Sequence, residues 1–109
     1  MPTLRYVVLR HEGFGESHFD LMFETSEQSK LSTWRSMDWP ITPSTRLIYL
    51  SEHRRTYLDY EGPVSDNRGH VKRVDQGHHT IQQNGSRALV TQLEDGSILS
   101  LAKLNQIGA

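Results

Sequence analysis

The sequence predicts a small, mainly β protein whose chain forms a closed or half-closed β-barrel of about six to eight short antiparallel strands. Three observations support this fold class. Short runs rich in β-branched and aromatic residues follow one another, turn-forming residues separate them, and almost no stretch has helical composition. A length of 109 residues is also usual for one domain, so we expect a single domain over residues 1–109.

The predicted strands follow from these runs and from the turns between them. They cover residues 4–10, 18–24, 31–35, 46–52, 69–74, 78–82, 88–93 and 97–104. Asn84-Gly85 and Asp95-Gly96 predict two tight hairpins, because both dipeptides tolerate positive φ angles. Residues 26–36 fit a turn followed by a strand, with a short helix as the alternative. Two prolines within residues 39–43 predict an irregular crossing, since proline lacks a backbone donor.

Composition narrows the chemistry and the cellular location. The chain has no cysteine, which excludes disulfides and thiolate ligands and leaves histidine and carboxylate side chains as metal ligands. Its net charge is -1 with neutral histidines, so overall charge does not indicate a nucleic-acid binder. No apolar run is long enough for a membrane span, and the first residues lack the apolar core of a signal peptide. We therefore expect a soluble, cytoplasmic protein with no membrane partner.

Residues 11–24 gather two histidines and an aspartate at spacings that suit a metal ion. The strict alternation in residues 18–24 predicts a strand with His18 and Asp20 on one face, about 6.5 Å apart, and an apolar core face opposite. The glycine-containing segment 12–17 predicts a hairpin loop that returns the chain and brings His11 close to His18. Three such ligands would leave coordination positions open for water or substrate.

The histidines also have a simpler interpretation. A histidine near a turn is usually a polar surface residue, and a His-x-Asp pair on a strand is often hydrogen-bonded and exposed. Spacing alone favours this interpretation over a metal site. The neighbouring His78 and His79 point to opposite faces of a strand, so at most one can join a given site, and we expect both to be exposed.

Three segments carry a likeness to a known family. The first comprises His11 and residues 18–24, the second His53, Tyr57 and the Tyr-Glu-Gly of residues 60–62, and the third residues 71–77 with their Asp-x-Gly end. In this order they resemble the 3'-phosphoesterase domain of bacterial and archaeal DNA ligase D, here as a stand-alone domain. The likeness extends from about residue 5 to residue 104 and favours the metal-site interpretation.

The resemblance implies a hydrolase that uses a divalent metal to process nucleic-acid 3' ends in DNA repair. Manganese is the expected metal, with zinc or cobalt as alternatives. Members remove a 3'-terminal ribonucleoside and then the remaining 3'-phosphate. The expected partners are DNA or DNA/RNA 3' ends and a separate repair ligase or polymerase, and the protein is expected to be a monomer. By resemblance the metal ligands are His11, His18 and Asp20, and the residues that address the phosphate are His53, Arg46 and the neighbouring Tyr57.

The chain departs from the family pattern at specific positions. Met22 stands where the family carries an arginine, and no family-type lysine follows Trp34, although Arg35 is close. Arg46 and His53 would face opposite sides of a regular strand, so the role implied for Arg46 requires a β-bulge between them. The alternative function is a catalytically weak or inactive nucleic-acid or protein interaction module on the same barrel. A second alternative is a hydrolase of another phosphate ester, such as a small nucleotide.

Overall fold

The computed structural model describes residues 3–104, which are mainly β with almost no helix. Its strands are β1 (Leu4–Glu12), β2 (His18–Glu24), β3 (Leu31–Ser36), β4 (Leu47–His53), β5 (Gly62–Pro63), β6 (His70–Asn84), β7 (Ala88–Leu93) and β8 (Ile98–Ala102). Seven strands form one antiparallel sheet in the order β4-β3-β2-β1-β6-β7-β8, and β5 pairs with β6. A 3-10 turn, Arg55–Leu58, follows β4. The predicted mainly β class and the half-closed form of the barrel are confirmed.

The sheet curls into a half-barrel around a large apolar cluster. This cluster draws on strands near both ends of the sheet, including Trp34 of β3 and Leu101 of β8. The indole Nε1 of Trp34 donates a hydrogen bond of 2.7 Å to the carbonyl oxygen of Ala102, which joins β3 to β8 across the concave face. Buried side chains fill this interior.

A second, smaller apolar cluster covers the convex face of β1, β2 and β3. Its members are Val7, Leu9, Met22, Leu31, Leu58 and Val71. Leu58 comes from the 3-10 turn. Tyr57 of the same turn, and Tyr60 and Val64 from the residues after it, pack against the same cluster. β2 is therefore buried on both faces, although its alternating sequence predicts one core face. The segment that covers the convex face is distant in sequence, and no local pattern reveals it.

Both predicted hairpins are present. β7 and β8 are connected through Asp95-Gly96, where Gly96 has the expected positive φ, 91°. β6 and β7 are connected through residues 85–87, but neither Asn84 nor Gly85 has a positive φ, so the predicted reason for this turn is wrong. Residues 26–30 form a turn ahead of β3, so the helical alternative for this region is wrong. The crossing through residues 39–43 is irregular and contains a cis peptide bond between Trp39 and Pro40.

The prediction of two strands at residues 69–74 and 78–82 is wrong, because one long strand, β6, runs through both. β6 pairs with β1 from His70 to His79 and continues without a turn at Gly77. A Cβ at Gly77 would lie 3.2 Å from Cε1 of Tyr6 and 3.1 Å from Oε1 of Glu94. Gly77 is thus a tightly packed strand residue, and a larger residue there would require Tyr6 or Glu94 to shift.

The expectation that both neighbouring histidines are exposed is wrong for His79. His78 is exposed, but His79 lies in the middle of the sheet, pairs with Leu4 and Leu93, and keeps only 4% of its surface accessible. Its Nε2 donates to the carbonyl oxygen of Glu24 at 2.8 Å, and its Nδ1 lies 2.6 Å from the hydroxyl of Thr91. These partners satisfy both ring nitrogens inside the concave core.

Among the described residues, no helix has the length and apolar character needed to cross a membrane.

Candidate metal centre

The β1–β2 hairpin brings the three predicted metal ligands together. His11 and His18 are directly paired next to its loop, and Leu9 is paired with Asp20 two positions further along β2. Because side chains alternate along a strand, His18 and Asp20 share the convex face with His11. One atom from each of the three side chains lies within 4.8 Å of the others, so the cluster could hold a metal ion.

Backbone carbonyl groups orient both imidazole rings toward the centre. Nε2 of His11 donates to the carbonyl oxygen of Arg68 at 2.6 Å, and Nδ1 of His18 donates to that of Glu16 at 3.0 Å. A carbonyl only accepts, so these nitrogens carry the protons and leave Nδ1 of His11 and Nε2 of His18 as lone-pair donors. A second ring nitrogen bonded to a carbonyl is the usual arrangement of metal-bound histidine.

The free nitrogens point to the carboxylate of Asp20. Nδ1 of His11 lies 3.6 Å from Oδ2, and Nε2 of His18 lies 3.3 Å from Oδ1. Asp20 and His18 are buried, yet Nε2 of His18 and Oδ1 of Asp20 have no hydrogen-bond partner within residues 3–104. Buried polar atoms are rarely left unpaired. Two imidazole nitrogen atoms and a carboxylate that converge in this way could hold a metal ion.

A pocket of about 200 Å³ opens beside the three ligands on the convex face. Its lining includes His11, Phe14, Asp20, Met22, Arg35, Leu50, His53, Tyr57 and Arg68. We call it the metal pocket. Two further buried atoms without a partner in the described chain belong to its walls, Nε of Arg35 and Nδ1 of His53. The pocket therefore combines a candidate cation site with a guanidinium and an imidazole that have unused hydrogen-bonding capacity.

Arg35 reaches the pocket because β3 pairs with β2. In the sheet, Arg35 pairs with Asp20 of β2 on one side and with Ile48 of β4 on the other. Burial is the main cause that lowers the pKa of His53 below its usual 6.5, while the negative charge of Asp20 raises that pKa and the positive charge of Arg35 lowers it. His53 thus lies within electrostatic reach of both side chains. Its ring also meets the ring of Tyr57 edge to face, with centroids 6.3 Å apart.

A β-bulge in β4 decides which side chains face the pocket. Thr33 pairs with Ser51 and Trp34 pairs with Tyr49, so Leu50 is an extra residue on β4, and Ser51 has a φ of 74°. A bulge of the kind that the role implied for Arg46 requires is therefore present between Arg46 and His53. Arg46 nevertheless lies immediately before β4, where it is exposed, and it does not line the metal pocket. Of the six predicted site residues, the structure brings His11, His18, Asp20, His53 and Tyr57 together and leaves Arg46 at the edge.

Gly69 holds the outer wall of the site against the hairpin. It has a φ of 79°, and a Cβ there would overlap the carbonyl oxygen of Glu12. This close approach places the carbonyl oxygen of Arg68, the preceding residue, against Nε2 of His11. No sequence pattern indicates that Gly69 supports the site, because residues 11 and 68 come into contact only in the folded chain.

Two ion pairs fix the segment that covers the site. Oε2 of the buried Glu24 lies 2.5 Å from Nη1 of Arg55 in the 3-10 turn, and Oε1 of Glu24 accepts from the backbone nitrogen of Arg5 at 2.7 Å. The side chain of Arg5 in turn binds Asp59 at 2.8 Å. These contacts anchor the residues on both sides of Tyr57 to β1 and β2.

The cations that face the pocket, Arg35 and Arg68, were not among the predicted site residues. The sequence could have indicated Arg35 as a pocket residue, since pairing of residues 31–36 with β2 would place it beside Asp20. No sequence pattern indicates Arg68, because it lies on an irregular loop.

A comparison of the chain with protein-family models and with curated proteins found no match.

Proposed function

We propose that this protein is a metal-dependent phosphoesterase that acts on the 3' ends of nucleic acids. The proposal follows the resemblance to the 3'-phosphoesterase domain of DNA ligase D. It extends to removal of a 3'-terminal ribonucleoside and of the 3'-phosphate, in the repair of DNA ends, with manganese as the expected metal and a soluble cytoplasmic location.

One observation carries the proposal. Four buried polar atoms without a partner in the described chain lie at or beside one pocket: Nε2 of His18, Oδ1 of Asp20, Nε of Arg35 and Nδ1 of His53. Unpaired buried polar groups cost about 1–3 kcal/mol each, so their concentration in one place favours a bound charged group. A cation at the first two atoms and a phosphate at the last two would satisfy all four.

The side chains divide the work of phosphate ester cleavage between them. A divalent cation bound by His11, His18 and Asp20 would neutralise charge on a phosphoryl oxygen and lower the pKa of a bound water. Arg35 would donate to a non-bridging oxygen and stabilise the negative charge that develops in the transition state. His53 would donate a hydrogen bond to the phosphate or protonate the leaving oxygen. Tyr57 would fix the position of the imidazole of His53.

The position of Arg35 offsets a departure from the family pattern. Met22 follows Asp20 on the same face of β2, but it is buried in the smaller apolar cluster and cannot bind phosphate. Arg35 supplies a guanidinium from the neighbouring strand, opposite Asp20. Met22 is also the observation that favours the second candidate, an interaction module that keeps the barrel and the metal without turnover.

The test compares three substrates with added manganese: 3'-phosphorylated DNA, primer strands ending in ribonucleotides, and free nucleotides. We expect cleavage of the two strand ends by wild type and none by Asp20→Asn, which keeps the shape of the side chain but loses its charge. Cleavage of free nucleotides alone would assign the protein to small phosphate esters. Metal binding without any cleavage would establish the interaction module and refute the enzyme.

A further inference from the structure

A second pocket lies beside the metal pocket and is lined by tyrosine rings. It has a volume of about 400 Å³ and is bounded by Arg54, Tyr57, Tyr60, Pro63, Val64 and Ser65. We call it the tyrosine pocket. The rings of Tyr57 and Tyr60 meet edge to face with centroids 6.1 Å apart. The pocket thus offers aromatic and apolar walls together with one cation, Arg54, and the hydroxyl groups of its tyrosine, serine and threonine residues.

The two pockets share walls. Tyr57 and Val64 line both of them, so the two pockets are immediate neighbours. Arg54 directly follows His53, which faces the metal pocket, and Arg54 itself lines the tyrosine pocket. The chain therefore directs an imidazole to one pocket and a guanidinium to the other from neighbouring positions.

The walls of the tyrosine pocket are held in place before any ligand binds. The hydroxyl of Tyr60 donates to the carbonyl oxygen of Pro63, which closes the loop on which both residues lie. β5, which contains Pro63, is paired with His70 and Val71 of β6. Arg55, between Arg54 and Tyr57, is tied to the buried Glu24. A fixed aromatic surface of this kind binds a flat ring without losing much conformational entropy.

These features match a nucleobase better than a sugar, a lipid or a peptide side chain. Aromatic side chains together with an arginine are the usual means by which a protein stacks on a base without distinguishing among the four bases. The volume lies within the range of small-molecule pockets, and apolar lining with few polar groups is typical of them. A base attached to the sugar that carries the phosphate would lie next to the metal pocket, where the shared walls are.

We infer that the tyrosine pocket binds the base of the terminal nucleotide whose phosphate enters the metal pocket. This inference rests on the proposed function for its orientation, since it assigns the phosphate to the neighbouring site. It goes further in predicting that the enzyme recognises a nucleotide and not a phosphorylated sugar end, with stacking on Tyr60 as the main contact and no preference among the four bases.

The test measures binding separately from cleavage. Fluorescein-labelled 3'-phosphorylated oligonucleotides, with either a base or an abasic sugar at the terminal position, are titrated with metal-free protein and followed by fluorescence anisotropy. Wild type should bind the base-bearing end about tenfold more tightly than the abasic end. The ratio should fall close to one in Tyr60→Ala, and Tyr60→Phe, which keeps the ring, should retain it. A variant that merely folds poorly would weaken both ligands and leave the ratio unchanged.

Cleavage of the same two oligonucleotides with manganese tests the phosphoesterase activity separately from base binding in the tyrosine pocket. Equal binding of both ends by wild type, or an unchanged ratio in Tyr60→Ala, would overturn the tyrosine-pocket assignment even if both ends are cleaved. A ratio that depends on the ring at position 60, without cleavage of either end, would support the pocket and refute the phosphoesterase.

Discussion

His11 and His18 form the last pair of the β1–β2 hairpin, and their imidazole rings lie 4.9 Å apart at an angle of 64°. Each ring donates one nitrogen to a backbone carbonyl and presents the other to Asp20. The hairpin therefore brings the three candidate ligands together, while the carbonyl oxygen of Arg68, which is distant in sequence, helps to orient His11.

Loss of a ligand should abolish metal binding. We expect wild type to bind one Mn²⁺, and His18→Ala and Asp20→Ala to weaken binding by more than about 100-fold, because a three-ligand site has no substitute donor. Isothermal titration calorimetry with manganese and zinc measures this. His78→Ala is the matched control, since His78 is an exposed histidine bound to Glu94 outside the site. Equal affinity in all four proteins would contradict the assignment.

Gly69→Ala should weaken the metal site from outside it. A Cβ at this position would collide with the backbone of Glu12 and displace the carbonyl oxygen of Arg68 from His11. Loss of a hydrogen bond that orients a ligand commonly reduces metal affinity about tenfold. Gly85→Ala is the control, because a Cβ at Gly85 would meet no atom within 4 Å. If manganese binds Gly69→Ala as tightly as wild type, the carbonyl of Arg68 has no orienting role.

Arg35 should matter more for turnover than Arg46. With manganese at saturation, Arg35→Met should lower kcat/KM about 100-fold, the usual effect of removing one well-placed donor to a transition-state oxyanion. Arg46→Met should lower it less than about fivefold, because an exposed arginine is screened by salt and acts mainly on strand binding. A larger loss in Arg46→Met would instead support the role that the family resemblance implies for Arg46.

The ion pair between Glu24 and Arg55 should be costly to break on one side. Arg55→Met leaves the buried carboxylate of Glu24 without its cation, and we expect the free energy of unfolding to fall by roughly 3 kcal/mol. Adding Glu24→Gln should recover part of this loss, since no charge remains buried. Urea denaturation of the single and double variants measures the loss of unfolding free energy in Arg55→Met and its recovery in the double variant. A double variant less stable than Arg55→Met would show that the charge itself is not the cause.

Acid should destabilise the fold through His79. Burial is the main cause that lowers the pKa of His79 below 6.5, with the carbonyl hydrogen bond and charge of Glu24 raising it and His78 lowering it further. The unfolded chain, with a pKa of about 6.5, then binds the proton more readily than the folded chain. Stability should therefore fall as the pH drops from 6.5 to the folded-state pKa, by up to about 1.4 kcal/mol per pH unit, and level off below it.

His79→Gln isolates this contribution. His53 also has a lowered pKa and contributes in the same direction, so the quantity to compare is the slope of unfolding free energy between pH 7 and pH 5 in the two proteins. We expect a shallower slope in the variant, whatever its stability at pH 7. Identical slopes would mean that His79 takes up a proton in the folded protein without cost.

The sequence by itself determines the hairpin that carries the metal ligands. Strict alternation in residues 18–24 and the glycines of the preceding loop fix a register between residues only a few positions apart. The loop length then pairs His11 with His18, and the period of a strand puts Asp20 on the same face. The β7–β8 hairpin follows in the same way from Asp95-Gly96. These are local relationships, so the sequence alone specifies them.

Tertiary structure alone decides what surrounds the ligands. The bulge at Leu50 changes which side chains of β4 face the metal pocket, and strand pairing places Arg35 opposite Asp20. Leu58 and Tyr57 cover the convex face through contacts with strands more than 30 residues earlier in the chain. His79 is buried because β6 runs unbroken between β1 and β7. Each of these depends on contacts between distant residues, which no periodicity within one segment encodes.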